Sequence, residues 1–264
     1  MIRIKESELI LNPDGSIYHL NLKPEDISDT ILFVGDQDRV EKITKHFDTI
    51  EFSTQKREFK TQTGTYKGKR ISVISTGIGP DNIDIVLNEL DALINIDFTT
   101  RTIKEKLNSL NIIRIGTSGS LQSDIPVDSF LIGTHGLDLN GMLHFYKLKD
   151  ICNHEIENAF MNHTHWNSNK ARPIFINNSL ELERIFESKQ TYKGITGTAG
   201  GFYGPQGRVL RLAIQDSELN NKMNSFLYNG LRISNLEMET ATIYGLSKLL
   251  GHNAVCLNAI IANR

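Results

Sequence analysis

One arginine, Arg114, interrupts the otherwise apolar run Asn111-Ile112-Ile113-Arg114-Ile115. Burying a guanidinium without a partner costs several kcal/mol, so an anion or a carboxylate is expected beside it. An internal salt bridge, or a place on an edge strand, is the competing account. The residues that follow, Gly116-Thr117-Ser118-Gly119, read as a turn closing the strand. Hydroxyls and backbone N–H groups just past a strand end can cradle an oxyanion, which favours the anion.

Four other segments could carry chemistry. In Phe33-Val34-Gly35-Asp36-Gln37-Asp38-Arg39, a glycine after a strand lets a ligand approach the backbone closely, and Arg39 follows within a turn. An ordinary strand-to-helix turn reads the same way, and the glycine spacing of a dinucleotide fingerprint or P-loop is missing. Lys56-Arg57-Glu58-Phe59 offers Arg57, which taken alone is a solvated charge. Phe202-Tyr203-Gly204-Pro205-Gln206-Gly207-Arg208 combines an aromatic plate, an amide and a guanidinium. That set suits a planar heterocycle, stacked on Phe202 and hydrogen-bonded at its edges by Gln206 and Arg208; a flexible surface loop is the other reading.

The fourth segment is Asn235-Leu236-Glu237-Met238-Glu239-Thr240-Ala241. It reads as a capped helix start, with Asn235 near the cap and two glutamates favoured by the helix dipole. In a regular helix Glu237 and Glu239 would point about 200° apart. Only an extended backbone would turn both to one ligand. In either case, one carboxylate accepting bonds from the vicinal hydroxyls of a sugar is sensible chemistry.

The elements that must hold these residues alternate between β-rich runs and helical patterns. Strands are expected at 31–34, 65–66, 71–75, 112–115, 130–132, 173–176, 193–196 and 255–261. Lys67-Gly68-Lys69 should turn the hairpin between the second and third of these. Helical patterns run on from Arg39 to His46, from Ile83 to Leu93 and from Met238 to Leu250. The stretch Asp91 to Asn111, with its charged patch Arg101 to Lys106, reads as a surface extension of a helix pair. Strands ending in Gly/Thr/Ser turns before helices indicate an α/β fold with a mixed sheet, in which ligands gather at strand ends. One domain over residues 1–264 is the simplest organisation, with no repeat or linker to divide it.

Composition narrows the function classes. Lys and Arg number 29 against 31 Asp and Glu, so the basic excess usual in nucleic-acid binders is absent. Met1 to Pro13 lacks the apolar core of a secretory signal, and no run reaches the roughly 18 apolar residues of a membrane span. Cys152 and Cys256 form neither a disulfide framework nor a metal pair and read as two reduced thiols of a cytosolic protein. His163 and His165 come with no HExxH or Cys/His pairing, so no metal site is expected.

Taken in order, five motifs resemble the uridine phosphorylase branch of the nucleoside phosphorylase family. They are Gly35-Asp36-x-x-Arg39, Ser75-Thr76-Gly77-Ile78-Gly79, Arg114-Ile115-Gly116-Thr117-x-Gly119, Phe202-Tyr203-x-x-Gln206-x-Arg208 and Glu237-Met238-Glu239. Each is weak singly and jointly they are specific; the resemblance runs from His19 to Arg264. It implies a single α/β domain around a mixed, barrel-like central sheet flanked by helices, assembled as dimers into a hexamer. It implies phosphate binding by Gly35, Arg39, Arg114 and Thr117, with Arg57 supplied by a neighbouring subunit. His19 would reach across the dimer to the ribose 5′-hydroxyl. Glu237, Met238 and Glu239 would hold the ribose, and Phe202, Gln206 and Arg208 the nucleobase.

The implied reaction is reversible phosphorolysis of a pyrimidine nucleoside, uridine or deoxyuridine, to the free base and (deoxy)ribose 1-phosphate. Arg114, Arg208 and Glu239 would carry the catalysis. The resemblance calls for no cofactor beyond inorganic phosphate as co-substrate, no metal, no nucleic-acid partner and no membrane. In the loop Thr198-Ala199-Gly200-Gly201-Phe202-Tyr203-Gly204-Pro205 such enzymes more often carry Ser-Asp-Thr before the Phe-Tyr and Pro-Gly after it, and the chain stops at Arg264 where they continue into a terminal helix, as if truncated. A purine nucleoside phosphorylase, a phosphate-independent nucleosidase and a non-catalytic nucleoside-binding protein are the alternatives.

Overall fold

In the computed structural model, residues 2–148 and 151–263 are described; Met1 and Arg264, which bound stretches read above, lie outside the described residues. The chain forms two compact units interleaved in sequence. Met1–Ile78, Asn82–Ile113 and Leu250–His252 make the first, and Gly79–Asp81, Arg114–Leu249 and Asn253–Arg264 the second.

The first unit carries β1 (Thr30–Val34), α1 (Gln37–Thr44), β2 (Thr49–Lys56), β3 (Phe59–Tyr66), β4 (Lys69–Ser75) and most of α2 (Pro80–Asn95). Its strands lie in the order β1-β4-β3-β2, with β1 parallel to β4 and the other pairs antiparallel. Lys67 and Gly68 both have positive φ, 48° and 74°, which matches the right-handed twist of the β3–β4 hairpin as expected. Asp36 starts α1 by accepting the Asp38 N–H at 2.7 Å. Val40 of α1 then packs with Val34 and Val73 of the sheet. Helix α2 buries Ile83, Val86, Leu87, Leu90 and Leu93, the stripe its spacing predicts.

One expectation fails in this unit. The region after α2 is a short hairpin, β5 (Ile96–Asp97) with β6 (Thr102–Ile103), and not a helical extension. Arg101 is no surface charge either. It is buried, and its guanidinium donates to the carbonyls of Ile4, Lys5 and Leu9. The cation therefore ties down the N-terminal segment, whose carbonyls would otherwise lack donors.

β7 (Asn111–Ser120) begins in the first unit and continues in the second. There follow β8 (Phe130–Asp138), α3 (His154–Thr164), β9 (Ile174–Asn177), α4 (Leu180–Phe186), β10 (Thr191–Thr198), α5 (Leu219–Ser225), β11 (Leu227–Tyr228), β12 (Leu231–Glu237), α6 (Thr240–Leu250) and β13 (Asn253–Asn263). The sheet of the second unit runs β11-β12-β10-β8-β13-β7, with β9 added on β8. β10 is parallel to β8 and β12, whereas β13 and β9 are antiparallel to β8. The α/β class and the mixed sheet are as expected. The barrel is only approximate: β12 closes back on β7 through just the pairs Asn235↔Ser120 and Leu236↔Gly119. Phe160, Phe175 and Phe226 pack edge to face beside Leu236 and Ile233 in its core.

Candidate active site

Three parallel strands of the second unit end side by side. Asp138 of β8 pairs in register with Thr198 of β10, and Thr198 with Glu237 of β12. The Thr198 hydroxyl donates to Glu237 Oε1 at 2.8 Å and accepts the Ala241 N–H at 2.9 Å. Glu237 in turn accepts the N–H groups of Glu239 and Thr240 at 2.9 to 3.1 Å. Glu237 is thus the group that satisfies the first turn of α6. The expected cap, Asn235, lies inside β12, where it accepts from the Thr196 hydroxyl and donates to Ser118 Oγ. Strand pairing with β10 and β7 holds it there and delays the helix to Thr240.

The extended backbone at Glu237 and the turn after it settle the orientation left open by the sequence. Glu237 and Glu239 are both buried, with Met238 half-buried between them. Their roles differ. Glu237 is consumed by backbone and hydroxyl donors. Burial pushes its carboxyl up, the adjacent Glu239 adds to that, and Arg114 works against it. Glu239 accepts the Gly79 N–H on Oε1 at 2.8 Å and pairs through Oε2 with Arg114 Nη2.

Arg114 is buried, and the guanidinium lies over Gly116, where any side chain would collide with it. Desolvation would lower its pKa, but the carboxylates of Glu239 and Glu237 outweigh that and hold the guanidinium above its ordinary value. The Nε and Nη1 groups have no protein partner. A buried guanidinium with two unused donors is a chemical signature of anion binding. β7 runs on to Ser120, so Thr117 lies within the strand and not past its end. Ser118 shares the buried face with Arg114, while Thr117 alternates to the exposed one.

The aromatic loop folds on itself through a short 3-10 turn, Gly204–Gln206. Arg208 stacks on Phe202, 3.6 Å from the ring centroid, and donates from Nη1 to Gln206 Oε1 at 2.7 Å and to the Phe202 carbonyl at 2.6 Å. Gln206 is buried, and Phe202 and Tyr203 are about half exposed. The three residues read as a base site are therefore one hydrogen-bonded and stacked group. A cavity of about 1370 Å³ opens beside the loop, walled by Tyr203, Arg208, Gly200, Leu139, Phe145 and Leu212 among others. Gly200 is required by packing: a Cβ there would sit 2.9 Å from that of Asn140.

Of the residues assigned to phosphate, Gly35, Arg39 and Arg57 belong to the first unit, and Arg114 and Thr117 to the second. Gly35 links β1 to α1, and Arg39 stands in the first turn of that helix. Arg57 is exposed at the tip of the β2–β3 hairpin, at φ 54°. His19 is held by Glu89 of α2, which accepts from its Nδ1 at 2.6 Å and from the N–H groups of His19 and Leu20. Glu89 and Thr198 also hold site groups in place, and so does Gly79. Gly79 carried a sequence signal, as the last glycine of a motif. Among the described residues no group of three His, Cys, Asp or Glu is placed to hold a metal ion, and no helix is long and apolar enough to cross a membrane. Cys152 and Cys256 are free thiols, and burial pushes the latter up to about 12.

Residues 29–264 match the family model described as the phosphorylase superfamily. The uridine phosphorylase of Thermococcus kodakarensis is 30% identical over 262 residues, covering 95% of this chain and 79% of that protein. That of Haemophilus influenzae is 28% identical over 257 residues, covering 95% and 87%. Among solved structures, a Trypanosoma brucei nucleoside phosphorylase described as showing uridine phosphorylase activity superposes with a TM-score of 0.88 at 29% identity, covering 97% of this chain and 91% of that one.

Proposed function

The chain belongs to the phosphorylase superfamily, and from that premise we propose that it catalyses the reversible phosphorolysis of a pyrimidine nucleoside, uridine or deoxyuridine. It is a pentosyltransferase: nucleoside plus phosphate gives the free base and (deoxy)ribose 1-phosphate. The observation that carries the reading is the pairing of Arg114, with two buried donors unused by protein, to Glu239, a carboxylate suited to sugar hydroxyls. A phosphate oxygen bound by Arg114 is thereby set next to the sugar it must attack.

In the proposed mechanism Arg114 holds the phosphate dianion in line with C1′. Glu239 accepts from the sugar hydroxyls, with Glu237 and Met238 forming the wall behind it. As the glycosidic bond breaks, positive charge develops on the sugar and negative charge on the base. Arg208 stabilises the leaving base, directly and by fixing the Gln206 amide whose oxygen it occupies. Phe202 offers its ring to the base. No general base is needed, because phosphate is already a nucleophile. The route uses no metal or organic cofactor.

Arg57 and His19 complete the site of a neighbouring copy, so the working enzyme is a homo-oligomer built from dimers and closed as a hexamer. The exposure of Arg57 on a hairpin tip supports that assignment. Its place is the cytoplasm, in nucleoside salvage. The deciding experiment is release of uracil from uridine with and without phosphate. Strict phosphate dependence is expected; equal rates in phosphate-free buffer would replace the phosphorylase with a hydrolase.

A further inference from the structure

Arg114 has a neighbour that neither the motifs nor the proposed mechanism uses. Asn258, on β13 beside β7, is 1% exposed, and both its Nδ2 and its Oδ1 are buried without a hydrogen-bond partner. An ideal Cβ built on Gly116 would lie 2.9 Å from Asn258 Oδ1 and 2.9 Å from Arg114 Cζ. The amide and the guanidinium therefore border one point, within a side-chain rotation of each other. Asn258 thus offers one unused acceptor, Oδ1, near the point that the unused Nη1 donor of Arg114 also borders. Buried amides with no partner at all are rare, because each unpaired polar atom costs desolvation without return. A leucine, branched at the same carbon, would leave no unpaired polar atom at this place.

We propose that Asn258 is a positioning residue for the anion site, holding Arg114 through Nη1 when substrate engages Glu239. This inference rests on the phosphorylase reading, in which Glu239 turns to the sugar. The Arg114 guanidinium is fixed by Glu239 alone among the described residues. Once sugar hydroxyls compete for that carboxylate, the guanidinium needs a second fixed acceptor to keep its Nε edge turned to phosphate. Asn258 Oδ1 supplies it without charge. A carboxylate in the same place would cancel the positive charge the anion needs. The neighbouring Cys256 thiol is a much weaker acceptor and does not substitute.

The test is steady-state kinetics of Asn258→Leu and Asn258→Asp in the full-length enzyme, with inorganic phosphate and uridine varied separately. Asn258→Leu should keep or raise Tm while the KM for phosphate rises about tenfold, the effect of losing one charge-assisted hydrogen bond. The KM for uridine should move less than about twofold. Asn258→Asp, which preserves the shape, should also raise the phosphate KM, by opposing the anion. In an Arg114→Lys background, where the planar fork is gone, Asn258→Leu should add nothing further. An unmoved phosphate KM in both variants, equal shifts for both substrates, or full additivity with Arg114→Lys overturns the proposal. Wild-type turnover without phosphate would instead overturn the phosphorylase reading itself.

Discussion

Asp138 ends β8 with one carboxylate oxygen accepting the N–H groups of Asn140 and Gly141 and the other buried without a partner. Burial pushes its carboxyl above the ordinary 3.8, against the pull of those two backbone donors. The unfolded chain releases this proton near 3.8, while the folded chain keeps it to higher pH. Between those two values the folded state binds the extra proton, so raising the pH through that window lowers stability. Asp138→Asn has no such proton and keeps an acceptor for both N–H groups. The Tm advantage of wild type over the variant should therefore shrink or reverse between pH 3.5 and pH 7. Melting curves with a constant gap across that range would show that folding leaves the Asp138 carboxyl at its ordinary pKa. Neither Asp138 nor Asn258 was legible in the sequence, because both look like ordinary strand residues. Arg114 was legible, because a cation between isoleucines is costly wherever the strand lies.

At the scale of elements, the chemistry depends on how closely α6 approaches the ends of β8 and β10. Gly136 makes that approach possible: a Cβ there would come 2.5 Å from Ala241 Cα and 2.8 Å from its backbone nitrogen. Both contacts are with backbone, which cannot swing aside as a long side chain could. Gly136→Ala should destabilise the fold by about 1–3 kcal/mol, as overpacking does. It should also displace the Glu237–Glu239 turn and lower kcat/KM for uridine in the molecules that remain folded. A variant with native Tm and native kinetics would show that α6 has slack. The same scale explains what the sequence concealed. Existence and type of β1, α1, α2, β10, α6 and β13 follow from local patterning, but strand ends follow from partners. Gly116-Thr117-Ser118-Gly119 has the composition of a turn, yet β12 pairs with Gly119 and Ser120 and Asn235 reaches Ser118, so the strand continues. Asn235 looked like a helix cap for the same reason: its fate was decided by β7 and β10, far away in sequence.

At the scale of the whole molecule, the proposed division of labour between copies has a quantitative consequence. If Arg57 serves the phosphate of a neighbouring subunit while Arg114 serves its own, the two residues of any one site come from different chains. Arg57→Ala and Arg114→Ala homo-oligomers should then each be nearly inactive. Unfolded, mixed in equal amounts and refolded together, half of the dimers would carry one chain of each kind. Each such dimer has one site bearing both substitutions and one bearing neither. The mixture should therefore recover about a quarter of wild-type activity, while either variant refolded alone recovers none. Arg57 has the exposure and Arg114 the burial that this arrangement requires, the former on a hairpin tip and the latter within β7. Both residues acting within one chain would give a different result, because no reassortment could then separate the two defects into one site. Activity that stays at the level of the separate variants, with native-like assembly by light scattering, would place Arg57 in its own subunit's site.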